Sequence, residues 1–146
     1  MSRTVALIST LAAGGLIALQ PPANAAMAHH VGDLGAALVS AALTTVIITV
    51  LLLAFGHPAR LAGLGGIRPE QLIGGVAGAA IVVISLIAVR PLGAAAVVAL
   101  LVAAQLVVAL LADRFGWFGL THVGIGTGRS VGLVLVIAGT VLVTGR

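Results

Sequence analysis

The stretch IGGVAGAAIVVISLIAVRPLGAAAVVALLVAAQLVVALLADR, residues 73–114, holds two apolar runs separated only by Arg90 and Pro91. A helix rising 1.5 Å per residue needs roughly 17–25 residues to cross a hydrocarbon core of about 30 Å, and each run meets that length. Both runs are apolar on every face. A transmembrane strand would instead alternate weakly over about ten residues, so a barrel is disfavoured and a tight helical hairpin is predicted.

The same pattern extends outward in both directions. The whole chain of 146 residues is 61% hydrophobic and 7% charged, a composition that no ordinary soluble domain shares. Five spans are predicted, near 4–29, 34–55, 70–89, 92–112 and 129–144, giving one all-α integral membrane domain over residues 1–146. The opening residues also imitate a secretory signal, with Arg3, an apolar run from Val5 to Leu19, and Ala23-Asn24-Ala25. Apolar character continues past Pro21 and Pro22, however, and the first turn signal is His30-Val31-Gly32-Asp33, which favours a retained, proline-kinked first helix over a cleaved leader.

The longest polar connection runs from Gly56 to Pro69. There Pro69 suits a first helical turn, and Glu70 places negative charge at the positive end of the helix dipole. Orientation follows from arginine: with a cytoplasmic N-terminus, Arg3, Arg60, Arg68, Arg114 and Arg129 fall inside against Arg90 and Arg146 outside, five to two. That split favours a cytoplasmic N-terminus, while leaving insertion in both orientations open. The net charge of +4 reflects few acids rather than a nucleic-acid groove, and no nucleic-acid partner is expected.

Polar residues at membrane depth are few, and each has a bland and a sharp reading. Gln20 and Asn24 flank the helix-kinking Pro21 and Pro22, whose missing N–H groups free carbonyls one turn earlier. They either glue the first helix to its neighbours or line a wet cavity with Gln105, the strongly polar side chain of the fourth span. Gly74, Gly75 and Gly78 read as a helix-packing surface. Ser85 is expected to bond back to its own helix. Asp113 and Arg114 read as an interfacial ion pair or gate. As sequence neighbours they do not meet across one helix face, so Arg60, Arg68 or Arg129 is the expected partner of Asp113. The four histidines lack metal-ligand spacing, cysteine is absent, and no nucleophile-base set assembles at one depth. No metal, cofactor or enzymatic activity is therefore expected.

Gln20-Pro21-Pro22-Ala23-Asn24-Ala25, the Gly74-Gly75-x-x-Gly78-Ala79 helix, Ser85, Leu92-Gly93, and Ala103-Ala104-Gln105 followed by Asp113-Arg114-Phe115-Gly116 together resemble one family. It is the YdcZ-like group of small five-helix proteins within the bacterial drug/metabolite transporter superfamily. The resemblance covers nearly the whole chain. It implies half of a ten-helix architecture, an inner-membrane exporter of a small metabolite or amphiphile, and a homodimer or a heterodimer with a second five-helix subunit. Residues 67–71, Ile-Arg-Pro-Glu-Gln, stand where the family has an aromatic-rich entry to the third helix. No span carries a midplane carboxylate of the kind proton-coupled multidrug exporters use. The competing reading is a membrane scaffold or partner subunit that transports nothing itself.

Overall fold

In the computed structural model, which describes residues 2–145, the chain is helical almost throughout. The long helices are α1 (Arg3–Phe55), α2 (Ile73–Leu92), α3 (Ala94–Phe115) and α4 (Thr127–Thr144). Short 3-10 segments at Pro58–Gly66, Pro69–Leu72 and Trp117–Gly119 occupy the connections. All four helices are long and apolar enough to cross a bilayer.

Helix α1 is two spans in one. It starts at Ser2, whose hydroxyl accepts from the Val5 amide, and it breaks at Gly32, where φ 76° and ψ 166° leave the helical region. That conformation belongs to glycine, because a Cβ there clashes with the backbone. The limbs 3–31 and 33–55 are roughly 43 and 34 Å long, and each spans a core of about 30 Å. With α2, α3 and α4 they make five membrane-length segments, as the hydropathy pattern predicts. The turn falls within His30–Asp33 as expected. Pro21 and Pro22 sit inside the first limb with no departure from helical dihedrals. The break that divides α1 is thus at glycine, and the prolines leave carbonyls one turn earlier without helical partners.

The junction of α2 and α3 repeats the device. Gly93 adopts φ 80° and ψ 158°, within ten degrees of Gly32 in both angles. Arg90 and Pro91, expected to form the turn, are instead the last turn of α2. The physical reason is the same: a φ near 80° suits a residue without a Cβ, and a proline is tolerated two residues earlier at the modest loss of one helical hydrogen bond.

Burial is inverted relative to a water-soluble protein. Most of the buried residues are small or polar, with Asn24, Ala25, Ala28, Ala36, Ala37, Ser85, Ala96 and Thr140 among them beside the larger Leu86, Val97 and Leu110, whereas most large aliphatics, such as Leu11, Leu38, Leu135 and Leu142, are exposed. Small residues allow helices to approach, and large ones meet acyl chains. The chain divides after Ile87 into two compact units. In the first, buried positions lie on both sides of the Gly32 break. In the second, α3 and α4 pack closely and antiparallel, with Thr140 against Ala99 at one end and Arg129 against Asp113 at the other.

Candidate functional site

Within the first unit, the limb 33–55 and helix α2 enclose an open-sided hollow of about 610 Å³, reached from the first limb by Gln20. Its apolar lining comes from Leu34, Ala37, Leu38, Ala41, Val82 and Val83, and its polar lining from Gln20, Ser40, Thr44 and Thr45. A volume of roughly 300–1,000 Å³ with a few convergent polar groups is the usual form of a small-molecule site.

Helical spacing explains how these groups meet. Gln20, Asn24 and Ala28 recur every four residues and so share one face of the first limb. Gln20 is half-buried at the hollow, and Asn24, one turn on, is 4% exposed. The Asn24 Nδ2 amide has no hydrogen-bond partner among the described residues. A buried donor left in that condition costs about 1–3 kcal/mol. On the limb 33–55, Thr44 and Thr45 donate their hydroxyl protons to the Ser40 and Ala41 carbonyls, both at 2.9 Å. Each hydroxyl oxygen keeps lone pairs for another donor.

Gly75 and Gly78 line this hollow, and a Cβ placed at Gly74, Gly75 or Gly78 would meet nothing within 4 Å. The helix packing expected of these glycines is therefore not made within the chain; they face open space, and two of them widen the hollow. Gln105 is not brought to this hollow. It is exposed on α3 and lines neither this hollow nor the second space described below. A helix that is apolar on all sides gives no hint of which face turns inward, so midplane depth alone did not decide the matter. Thr44 and Thr45 were missed because single threonines are common in membrane helices. The legible signal was their cadence: Ser40, Thr44 and Thr45, then Thr49, whose hydroxyl bonds the Thr45 carbonyl at 2.8 Å.

In the second unit a wedge of about 410 Å³ opens between α3 and α4, lined mostly by Leu106, Leu110, Leu133 and Val136. At its mouth the Arg129 guanidinium donates to the Asp113 carboxylate at 3.0 Å. Arg129 is one of the three partners expected for Asp113. Arg114 is exposed, and its role lies in the backbone: its carbonyl accepts from the His122 ring Nδ1 at 3.2 Å. The Val123 amide likewise bonds the Asp113 carbonyl at 3.0 Å, so the loop folds back over the end of α3 and satisfies carbonyls the helix leaves open. Gly116, at φ 65°, permits this return, because a Cβ there would stand 2.7 Å from the His122 ring. Phe115 and Trp117 stack at 6.3 Å beside it. Ser85 and Thr140, the other buried polar side chains, are both bonded, Ser85 to Val82 O at 3.3 Å as expected and Thr140 to Val136 O at 2.8 Å and Ala99 O at 3.2 Å.

The family model described as "Putative inner membrane exporter, YdcZ" matches residues 5–142. No curated protein and no solved structure matches the chain.

Proposed function

The chain belongs to the family described as "Putative inner membrane exporter, YdcZ", and from that premise we propose that it is one half of a secondary transporter whose solute chamber is the hollow beside Gln20. The observation that carries this reading is the buried, unpartnered amide of Asn24 one turn from that hollow. A side chain kept only to clamp helices together would be paired in the folded chain, as Ser85 and Thr140 are. An amide held in reserve suits a solute that brings its own hydrogen bond. This favours transport over a packing-only scaffold.

The remaining half is supplied by a second five-helix subunit, a copy of this chain or a close relative. An odd number of spans makes two oppositely inserted copies a natural pair, with the site between repeats and alternating access by rocking of one against the other. The open glycine face of α2 gives that partner or the solute room to approach. The arginine distribution sets the commoner orientation, with the N-terminus in the cytoplasm. Gln105, exposed on α3, is a candidate for the chamber wall contributed across the pair. The solute is a small metabolite or amphiphile, moved outward.

The test is obstruction. Gly78→Phe fills open space and leaves the helix its length and polarity, so it is expected to insert at the normal level and to abolish export, read as solute uptake into everted membrane vesicles. Full efflux from this variant would rule out the hollow as the path. Labelling both termini in intact cells tests the pairing: mixed accessibility supports an inverted homodimer, and a single orientation requires a distinct partner subunit.

A further inference from the structure

We propose, resting on the chamber assignment above, that the hollow selects an uncharged amphiphile whose head presents O–H or N–H donors, and rejects both anions and cations. The argument is the chemistry of its wall. Thr44 and Thr45 have each committed their one proton to a backbone carbonyl at 2.9 Å, so toward the hollow these oxygens accept and do not donate. An incoming hydroxyl or amide N–H satisfies those lone pairs; a carboxylate or phosphate opposes them.

Charge selection follows from what surrounds the hollow. Among the described residues that line it, none carries a charge and none is aromatic. An anion finds no arginine, and a quaternary cation, which has no N–H to give the threonine oxygens, finds neither a carboxylate nor an aromatic face, so either ion would lose hydration that no opposite charge replaces. Gln20 offers both an acceptor and a donor and fits a hydroxyl in either sense. The aliphatic wall formed by Leu34, Leu38, Val82 and Val83 suits an alkyl body. Orphaned Asn24 Nδ2, one turn along the Gln20 face and outside the lining itself, is a donor without an acceptor, and a hydroxyl oxygen supplies one where an ammonium group does not.

Three probes with one alkyl chain separate these cases: hexyl glucoside, hexyl phosphate and hexyltrimethylammonium. Radiolabelled hexyl glucoside is expected to bind saturably to the full chain in lipid nanodiscs, with neither charged probe displacing it. Thr44→Val combined with Thr45→Val keeps shape and branching but removes both acceptors, and is expected to weaken binding at least tenfold. Equal competition by hexyl phosphate or hexyltrimethylammonium, unchanged affinity in the double variant, or no saturable binding of the glucoside would each overturn the proposal. The chamber assignment fails separately. If Gly78→Phe abolishes binding or efflux while the threonine variant leaves both intact, the hollow is the site and the donor rule is wrong. If Gly78→Phe leaves efflux and binding unchanged, the site lies elsewhere and both fall.

Discussion

The hollow of the first unit and the α3/α4 wedge of the second are both apolar spaces of several hundred Å³, about 610 and 410 Å³, yet their polar groups are treated in opposite ways. Around α3 and α4, polar groups are matched inside the chain: Asp113 with Arg129 at the wedge, His122 with the Arg114 carbonyl, Thr140 with two carbonyls. On the Gln20 face beside the hollow, Asn24 Nδ2 is unmatched, and the threonine oxygens of the wall keep lone pairs exposed. A region whose hydrogen bonds close on themselves is a structural joint. One that leaves a buried donor open, at a cost of about 1–3 kcal/mol, is arranged for something that arrives later.

Substitutions that break this contrast follow in order of expected effect. Gly78→Phe should reduce efflux at least tenfold with normal membrane insertion, measured in everted vesicles, because it fills the hollow where open space now surrounds the glycine. Asn24→Leu should separate function from stability. Efflux falls several-fold, while resistance to denaturation in detergent rises by about 1 kcal/mol as the unpaired donor is removed. A loss of stability in that variant would mean the amide is a clamp after all.

On the wedge side the effects should be structural and smaller. Gly116→Ala is expected to destabilise the α3 end by about 1–2 kcal/mol, since it combines a left-handed backbone with a Cβ against the His122 ring. Proteolysis of the loop at 116–126 reads this directly. Thr140→Val removes the bond to Ala99 and should cost about 0.6 kcal/mol, the usual size for an interhelical bond in lipid. Asp113→Asn should change stability by less than about 1 kcal/mol, because the pair is 43% and 37% exposed and screened by solvent. A tenfold loss of efflux in Asp113→Asn with unchanged stability would recast the pair as a gate and blur the contrast between the two regions.

Much of the fold was legible because lipid imposes strict rules on length and hydropathy. The five spans and the turn near Gly32 stand out from the apolar runs and the His-Val-Gly-Asp punctuation between the first two. The break between α2 and α3 was legible, but it was placed at Arg90-Pro91 when the non-helical backbone conformation belongs to Gly93. Asp113 was correctly denied its neighbour Arg114, since adjacent residues do not share a helix face, and three arginines remained until the loop geometry selected Arg129.

The site was less legible than the fold. Gln20 and Asn24 announced themselves as carboxamides at membrane depth, and the same logic named Gln105, which is exposed on α3 and lines neither of the two spaces. Rotation about the axis of a uniformly apolar helix leaves no trace in hydropathy. Gly74, Gly75 and Gly78 are ambiguous for a related reason: a missing side chain serves a close neighbour or an open space equally well, and only coordinates distinguish the two.

The chain has no cysteine, so a single introduced thiol reports its own surroundings. The most direct test of the hollow compares Thr44→Cys with Leu135→Cys, both near the middle of their spans, using a membrane-impermeant thiol reagent on the protein in sealed vesicles. If the hollow is a solute chamber, the thiol at 44 reacts and is protected by transported solute, while the thiol at 135, on the exposed face of α4, stays unlabelled. Equal inertness at both positions would show that the polar wall beside Gln20 never meets water, contradicting the account.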